Sequence, residues 1–251
     1  MRIDLNSDIG ESFGPWPMGQ DAALLTSISS ANVACGFHAG DPGVMRTTVA
    51  LAKAAGVAVG AHPGFPDLVG FGRREMKATP REVEDFVVYQ IAALAGVAAI
   101  QGVTLQHVKP HGALYNMACR DRAMADAIAR AVAALDRTLI LFGLPGSALL
   151  RAGEAAGLTV AAEAFADRAY EPDGTLASRQ KPGSVIHDAE TMVARTVRMV
   201  RDHQVVALDG SVISLAAQTI CLHGDTPGAA ELARAIQAGL IDAGLSVAPL
   251  K

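Results

Sequence analysis

The sequence predicts an α/β fold, a single β/α barrel over residues 1–251, from three observations. Short apolar runs alternate with longer Ala-rich segments, which is the order of βα units around a parallel sheet. The length of 251 residues is one that single α/β barrels commonly reach. No linker divides the chain. Composition agrees with a packed core: 51% of the residues are hydrophobic, 25 are glycine and only 4% are aromatic. The apolar excess is aliphatic and small. It is ample to offset the chain entropy of folding, so disorder is excluded.

The elements follow in order. A first strand near 2–6 alternates Ile3 and Leu5 with Asp4 and Asn6, and a helix is expected near 18–29. The second strand, near 31–36, leads to Asp41-Pro42, a cap followed by proline that opens a helix near 43–55. The third strand lies near 57–61, and Thr79-Pro80-Arg81-Glu82 is a capping box for a helix near 80–99. The fourth strand, near 104–109, precedes a helix near 121–134; an apolar fifth strand near 138–142 precedes one near 147–156. The sixth strand, near 159–164, carries Glu163, and a helix near 188–201 follows. Val205 to Ala216 reads as a hairpin turning at Asp209-Gly210. The seventh strand, near 219–223, gives way at Thr226-Pro227 to a last helix near 227–243. Three helices share one stop: Gly56, Gly157 and Gly244 each follow Ala and precede an extended segment, as a left-handed C-terminal glycine does.

Several function classes drop out. A net charge of −4 lacks the footprint of a nucleic-acid binder. Apolar stretches are broken well before the ~20 residues a membrane helix needs. Met1-Arg2-Ile3-Asp4 runs into the first strand without a signal-peptide h-region, and the three cysteines form no CxxC pair. The expectation is a reduced, cytoplasmic protein with no membrane or nucleic-acid partner. Cys35 and Cys221 are expected to pack as small apolar residues. Neither GxxxxGK[ST] nor a strand-to-helix GxGxxG is present, so no nucleotide cradle is recognisable.

Strand parity supplies the candidate site. In a closed barrel alternate residues point to the lumen. Asp4, Asn6 and Asp8 share one parity of the first strand, Asn32 and His38 that of the second, and Gly60 and His62 that of the third. His107, Lys109 and His111 follow on the fourth, Glu163 on the sixth, and His223 with Asp225 on the seventh. Ionisable and amide groups therefore converge on the C-terminal ends of the strands, where β/α barrels build their active sites. Arg73 or Arg74, in a Gly/Pro-punctuated loop after the third strand, is suited to pair a carboxylate bidentately. Asp167-Arg168-Ala169-Tyr170 opens a second loop with an arginine.

These motifs resemble those of the LamB/YcsF lactam-utilisation family. The resemblance runs through Asp4 to Gly14, Ser30 to Pro42, Gly60 to Asp67, Val108 to Asn116, Asp167 to Tyr170 and Cys221 to Asp225, so it spans the chain. It implies an irregular seven-stranded β/α barrel similar to the glycoside hydrolase/deacetylase fold. It also implies ATP-dependent opening of 5-oxo-L-proline (pyroglutamate) to L-glutamate, the 5-oxoprolinase reaction, together with two partner subunits, B and C.

The chemistry expected of the cluster follows. A lactam is a poor electrophile, and phosphorylating its oxygen makes that oxygen a leaving group. Asp8 or His111 is the expected general base or acid, and Lys109 stabilises negative charge. Asn6, Asn32 and Arg73 or Arg74 orient the substrate, with Glu163, His223 and Asp225 completing the binding set. An alternative is a metal-dependent amidase or deacetylase in which Asp8, His38 and His62 hold a divalent ion. A third reading is a substrate-binding component without chemistry of its own.

Overall fold

The computed structural model describes residues 1–226 and 228–251; Pro227, the expected start of the last helix, lies outside them. In chain order the elements are β1 (Arg2–Ile9), α1 (Asp21–Leu24), β2 (Ser30–Ala34), α2 (Pro42–Ala55), β3 (Ala58–His62) and α3 (Pro80–Ala99). Next come β4 (His107–Val108), α4 (Gly112–Ala118), α5 (Arg122–Leu135), β5 (Ile140–Gly143), α6 (Ala148–Ala155) and β6 (Val160–Phe165). The chain ends with α7 (Ala189–Arg201), β7 (Gln204–Val206), β8 (Val212–Ser214), β9 (Thr219–His223), α8 (Ala229–Asp242) and β10 (Ser246–Val247).

Seven parallel strands close a barrel in the order β1-β2-β3-β4-β5-β6-β9, with β9 returning to β1. The closing register sets Asn6 opposite Cys221 and Asp8 opposite His223. β10 extends the sheet beside the start of β1, and β7 and β8 form the expected antiparallel hairpin. No described helix is long and apolar enough to cross a membrane.

The two parities of the strands meet different surroundings. Ile3, Leu5, Val33, Val59, Val108, Ile220 and Leu222 are buried in one apolar layer with Val49, Val87, Ile91 and Ile128 of the surrounding helices. The opposite parity brings Asp4, Asn6, Asn32, His107, Glu163 and Thr219 inside the barrel, each fully buried. The lumen is thus polar and the jacket carries the hydrophobic core.

The helix ends follow their sequence signals. Asp41 accepts bonds from the backbone of Gly43 and Val44, and Thr79 and Glu82 complete their capping box. Gly56, Gly157 and Gly244 sit at φ of 68°, 76° and 79°, the left-handed conformation that ends each helix.

Three elements differ from expectation. The helix expected over 18–29 shrinks to Asp21–Leu24, because Gly14, Pro15, Pro17 and Gly19 hold the preceding segment in turns. The fourth strand shortens to His107–Val108, ended by Pro110, which has no N–H to give the ladder. Helix α4 is not signalled in the sequence, because its seven residues are too few to show a helical period. Its N-cap, His111, makes no side-chain capping bond, which leaves the ring to the site.

Gly60 shows how closely the lumen is filled. It pairs in register with His107, and a methyl group at this position would overlap the His107 ring. Gly60→Ala should therefore destabilise the fold by about 1–3 kcal/mol through overpacking, read as a lower urea midpoint at unchanged m-value.

Candidate active site

The floor of the site is a directed hydrogen-bond column. His107 Nε2 donates to Asn32 Oδ1 at 2.8 Å, since an amide oxygen only accepts. Asn32 Nδ2 then donates to Asn6 Oδ1 at 2.7 Å and to Asp8 Oδ1 at 2.8 Å. Asn6 Nδ2 donates to Glu163 Oε1 at 3.0 Å and to Thr219 Oγ1 at 2.6 Å, and the Thr219 hydroxyl donates to Asp4 Oδ2 at 2.5 Å. The His107 ring lies flat on Phe142, with centroids 4.4 Å apart. Burial pushes its pKa down to about 3, so it stays neutral.

Lys109 rises from this column. Its ammonium is 2.8 Å from Asp8 Oδ1, 3.0 Å from Glu163 Oε1 and 2.9 Å from Cys221 Sγ, and it is 2% exposed. Burial opposes its charge, but Asp8, Cys221 and Glu163 hold its pKa well above the ordinary lysine value. Burial likewise pushes the Asp8 carboxyl up, yet His62 and Lys109 keep it well below the usual carboxylate range. Cys221 is thus a polar neighbour of Lys109 as well as a packed side chain. Cys35 is buried with its thiol pushed up to about 12 by desolvation.

Above Asp8 the histidines converge. His62 Nδ1 donates to the Lys109 carbonyl at 2.7 Å, and His111 Nε2 donates to the Phe71 carbonyl at 2.8 Å. The remaining nitrogens, His62 Nε2 and His111 Nδ1, face each other at 2.9 Å. Two neutral rings would bring two lone pairs together there, so the geometry calls for a shared proton or a cation. Glu11 Oε1 is 3.3 Å from His38 Nε2 and 3.6 Å from His111 Nδ1, and His38 stacks on His111 with centroids 3.8 Å apart. Burial pushes His38 and His111 well below the usual imidazole range, which favours neutral, metal-binding rings. Burial and the charges of Asp8 and Asp225 push Glu11 well above its ordinary value.

Glu11, His38, His62 and His111 can hold a metal ion, because one ligand atom from each lies within 4.8 Å of the others. Imidazole nitrogens with one carboxylate suit a divalent transition metal. Asp8 belongs to a second such group with Cys221 and His223, and its Oδ2 is 3.3 Å from His62 Nε2.

A cavity of about 680 Å³ opens above these groups, and Asp8, His62, Arg73, Lys109, His111 and His223 line it. His223 Nδ1 is bound to Asp167 Oδ2 at 2.8 Å, so the other ring nitrogen is left for the cavity. Arg73 is held by Asp225 at 2.7 Å near the mouth. Asn6, Asn32 and Glu163, in the floor, are fully buried and outside the cavity lining, where they fix Asp8 and Lys109. Arg74 turns outward to Asp67, outside the cavity lining. Parity does not reveal Glu11, Asp167 or Arg168, which lie past the strand ends where alternation stops; they stand instead in the segments Asp4 to Gly14 and Asp167 to Tyr170 that carry the family resemblance.

A model of the LamB/YcsF family matches residues 3–251. A protein from Rhodopseudomonas palustris strain BisB18, named as the A subunit of 5-oxoprolinase, is 57% identical over 248 residues, covering 98% of this chain and 97% of its own length. The crystal structure of a lactam utilization protein from Thermus thermophilus has a TM-score of 0.95 at 52% identity and covers 100% of both chains. The catalytic domain of a peptidoglycan N-acetylglucosamine deacetylase from Eubacterium rectale ATCC 33656 gives 0.52 at 12% identity, over 99% of this chain and 88% of that one. That last likeness is one of fold alone.

Two outcomes follow from the floor. Lys109→Met strands Asp8 and Glu163 without their cation and should cost about 3–5 kcal/mol in urea unfolding. His107 has its folded pKa depressed to about 3, so its contribution to stability is complete above the unfolded value of 6.5 and is lost as pH falls toward 3. The acid limb of stability against pH should therefore flatten by about one proton in His107→Gln.

Proposed function

The chain belongs to the LamB/YcsF family, and from that premise we propose that it is the A component of an ATP-dependent 5-oxoprolinase. In this reading it opens the lactam of 5-oxo-L-proline to L-glutamate in the cytoplasm, in a complex with subunits B and C that uses ATP as co-substrate. The observation that carries the reading is the buried Lys109 ammonium at the base of a cavity whose wall holds His223 braced by Asp167.

The chain's own groups match the demands of the reaction. Opening the ring requires water to add to the lactam carbon and the ring nitrogen to gain a proton as the C–N bond breaks. With Nδ1 donating to Asp167, His223 keeps Nε2 to take the proton from water and pass it to the ring nitrogen. Lys109 places positive charge where the carbonyl oxygen becomes negative, in a site shielded from water. Asp8 holds that ammonium in place, and Arg73 offers its guanidinium to the substrate carboxylate from the mouth. Glu11, His38, His62 and His111 are the residues that would hold a divalent metal, which supplies Lewis-acid polarisation of the lactam carbonyl when bound. Transfer of a phosphoryl group from ATP to the lactam oxygen, releasing ADP, activates the ring carbon. Water adds there, C–N cleavage leaves an acyl phosphate, and a second water releases phosphate and L-glutamate. The phosphoryl transfer itself is assigned to the partner subunits.

The Glu11–histidine group also favours a second reading, a metal-dependent amidase that needs no ATP. Co-expression with the two partner subunits separates the two. Glutamate release from 5-oxo-L-proline should require ATP and all three subunits, whereas ATP-independent release abolished by a chelator would favour the amidase. His223→Gln should lower kcat by about 10²–10⁴-fold with KM little changed. Full complex activity in variants of His223 and of the Glu11–histidine group would reduce this chain to a substrate-binding component.

A further inference from the structure

The cavity is lined in part by cations that this reaction scheme does not use. Its volume of about 680 Å³ is several times what a pyroglutamate ring fills. Arg120, Arg168, Arg179 and Lys181 line it, with Glu171 among them. Lys181 is matched by Glu171 at 2.6 Å, as Arg73 is by Asp225 at 2.7 Å. Arg120, Arg168 and Arg179 have no carboxylate at ion-pair distance among the described residues.

Arg168 is the telling member. It is 5% exposed, it spends one N–H on the Ala177 carbonyl, and its Nε is buried with no partner among the described residues. A guanidinium buried with no carboxylate at ion-pair distance is costly, and cores rarely keep one for packing alone. Burial and the like charges of Arg179 and Arg73, opposed by Asp167, bring its pKa down to about 10, so the cations here stand close enough to act on one another. Its chain neighbour Asp167 braces His223, which ties Arg168 to the reacting groups.

We propose that Arg168, with Arg179 and Arg120, forms a subsite for a phosphoryl group carried by the substrate. A monocarboxylate is satisfied by one guanidinium, and Arg73, which bonds Asp225 through Nη2 alone, keeps its remaining N–H groups for that. Three guanidiniums without carboxylate partners suit a tetrahedral dianion, whose oxygens accept from several forks at once. The assignment rests on the ATP-dependent reading in one respect: activation of the lactam by ATP supplies a substrate that bears such a group. The reaction feeding this cavity is then a phosphoryl transfer from a nucleoside triphosphate.

The test uses the purified chain, with inorganic phosphate and acetate as probes at matched ionic strength. It needs no ATP, no 5-oxo-L-proline and no partner chain, so its outcome is independent of the glutamate-release assay. Phosphate should raise the thermal midpoint saturably, with binding confirmed by calorimetry, and acetate should not. Arg168→Met should abolish the phosphate response while its midpoint without phosphate equals or exceeds that of the unsubstituted chain, because a buried unpaired charge has been removed. Arg179→Gln, on an exposed side chain, should weaken phosphate binding about tenfold and decides the matter if Arg168→Met does not fold. An unchanged phosphate response in either variant, or an acetate response equal to that of phosphate, would overturn the subsite. A lowered midpoint in Arg168→Met with the phosphate response intact would instead make Arg168 a strut for the loop at Ala177.

Discussion

A single buried cation organises the interior of this barrel. The Lys109 ammonium has three protons, and Asp8, Glu163 and Cys221 stand within 3.0 Å to receive them. Each of those partners comes from a different strand, β1, β6 and β9, so the charge is satisfied only when the barrel is closed. Closure and electrostatics are therefore one event. A slip of β1 by one residue would turn Asp8 toward the helices and leave Lys109 with Glu163 as its one carboxylate, in a medium where a poorly matched charge is very costly.

The polar column beneath Lys109 explains why the lumen tolerates so many amides. An asparagine side chain offers both a donor and an acceptor, so Asn32 and Asn6 pass direction along the chain from His107 to Asp4. Neither Asn is free to flip, because a reversed amide would point N–H at N–H. This fixes the Asp8 oxygen that faces Lys109 and leaves its other oxygen for His62. Such a network is stabilising only when complete, and the apolar jacket between strands and helices carries the hydrophobic driving force that the lumen gives up.

Alternation along the strands makes much of this legible. Asp8, Lys109 and His223 can be placed together because a parallel strand turns every second residue inward, and the glycine stops and capping signals set the helix ends within a residue or two. Legibility ends where the strands end. Parity places His62 and His111, yet their facing nitrogens depend on carbonyls of Lys109 and Phe71 that no periodicity predicts. Arg73 and Arg74 are adjacent and chemically alike, but the turn at Phe71, with φ of 53°, sends one to Asp225 and the other outward to Asp67. Glu11 and Arg168 reach the site from loops, by contacts between segments far apart in the sequence.

The placement of charge divides the cavity into zones with different tasks. Near β1 and β2 the carboxyl of Glu11 meets three imidazoles, a set of donors suited to a cation. In the loop after β6, Arg168 and Arg179 carry guanidiniums with no carboxylate at ion-pair distance among the described residues, a set suited to an anion. Lys109 and His223, the latter braced by Asp167, line the same cavity, and in the proposed reaction they are the groups that meet the amide as it is broken. A substrate spanning the zones would have its oxygen, its nitrogen and its anionic end each directed by a separate group. Orientation of that kind lowers the barrier before any proton moves, because the entropy of alignment has been met on binding.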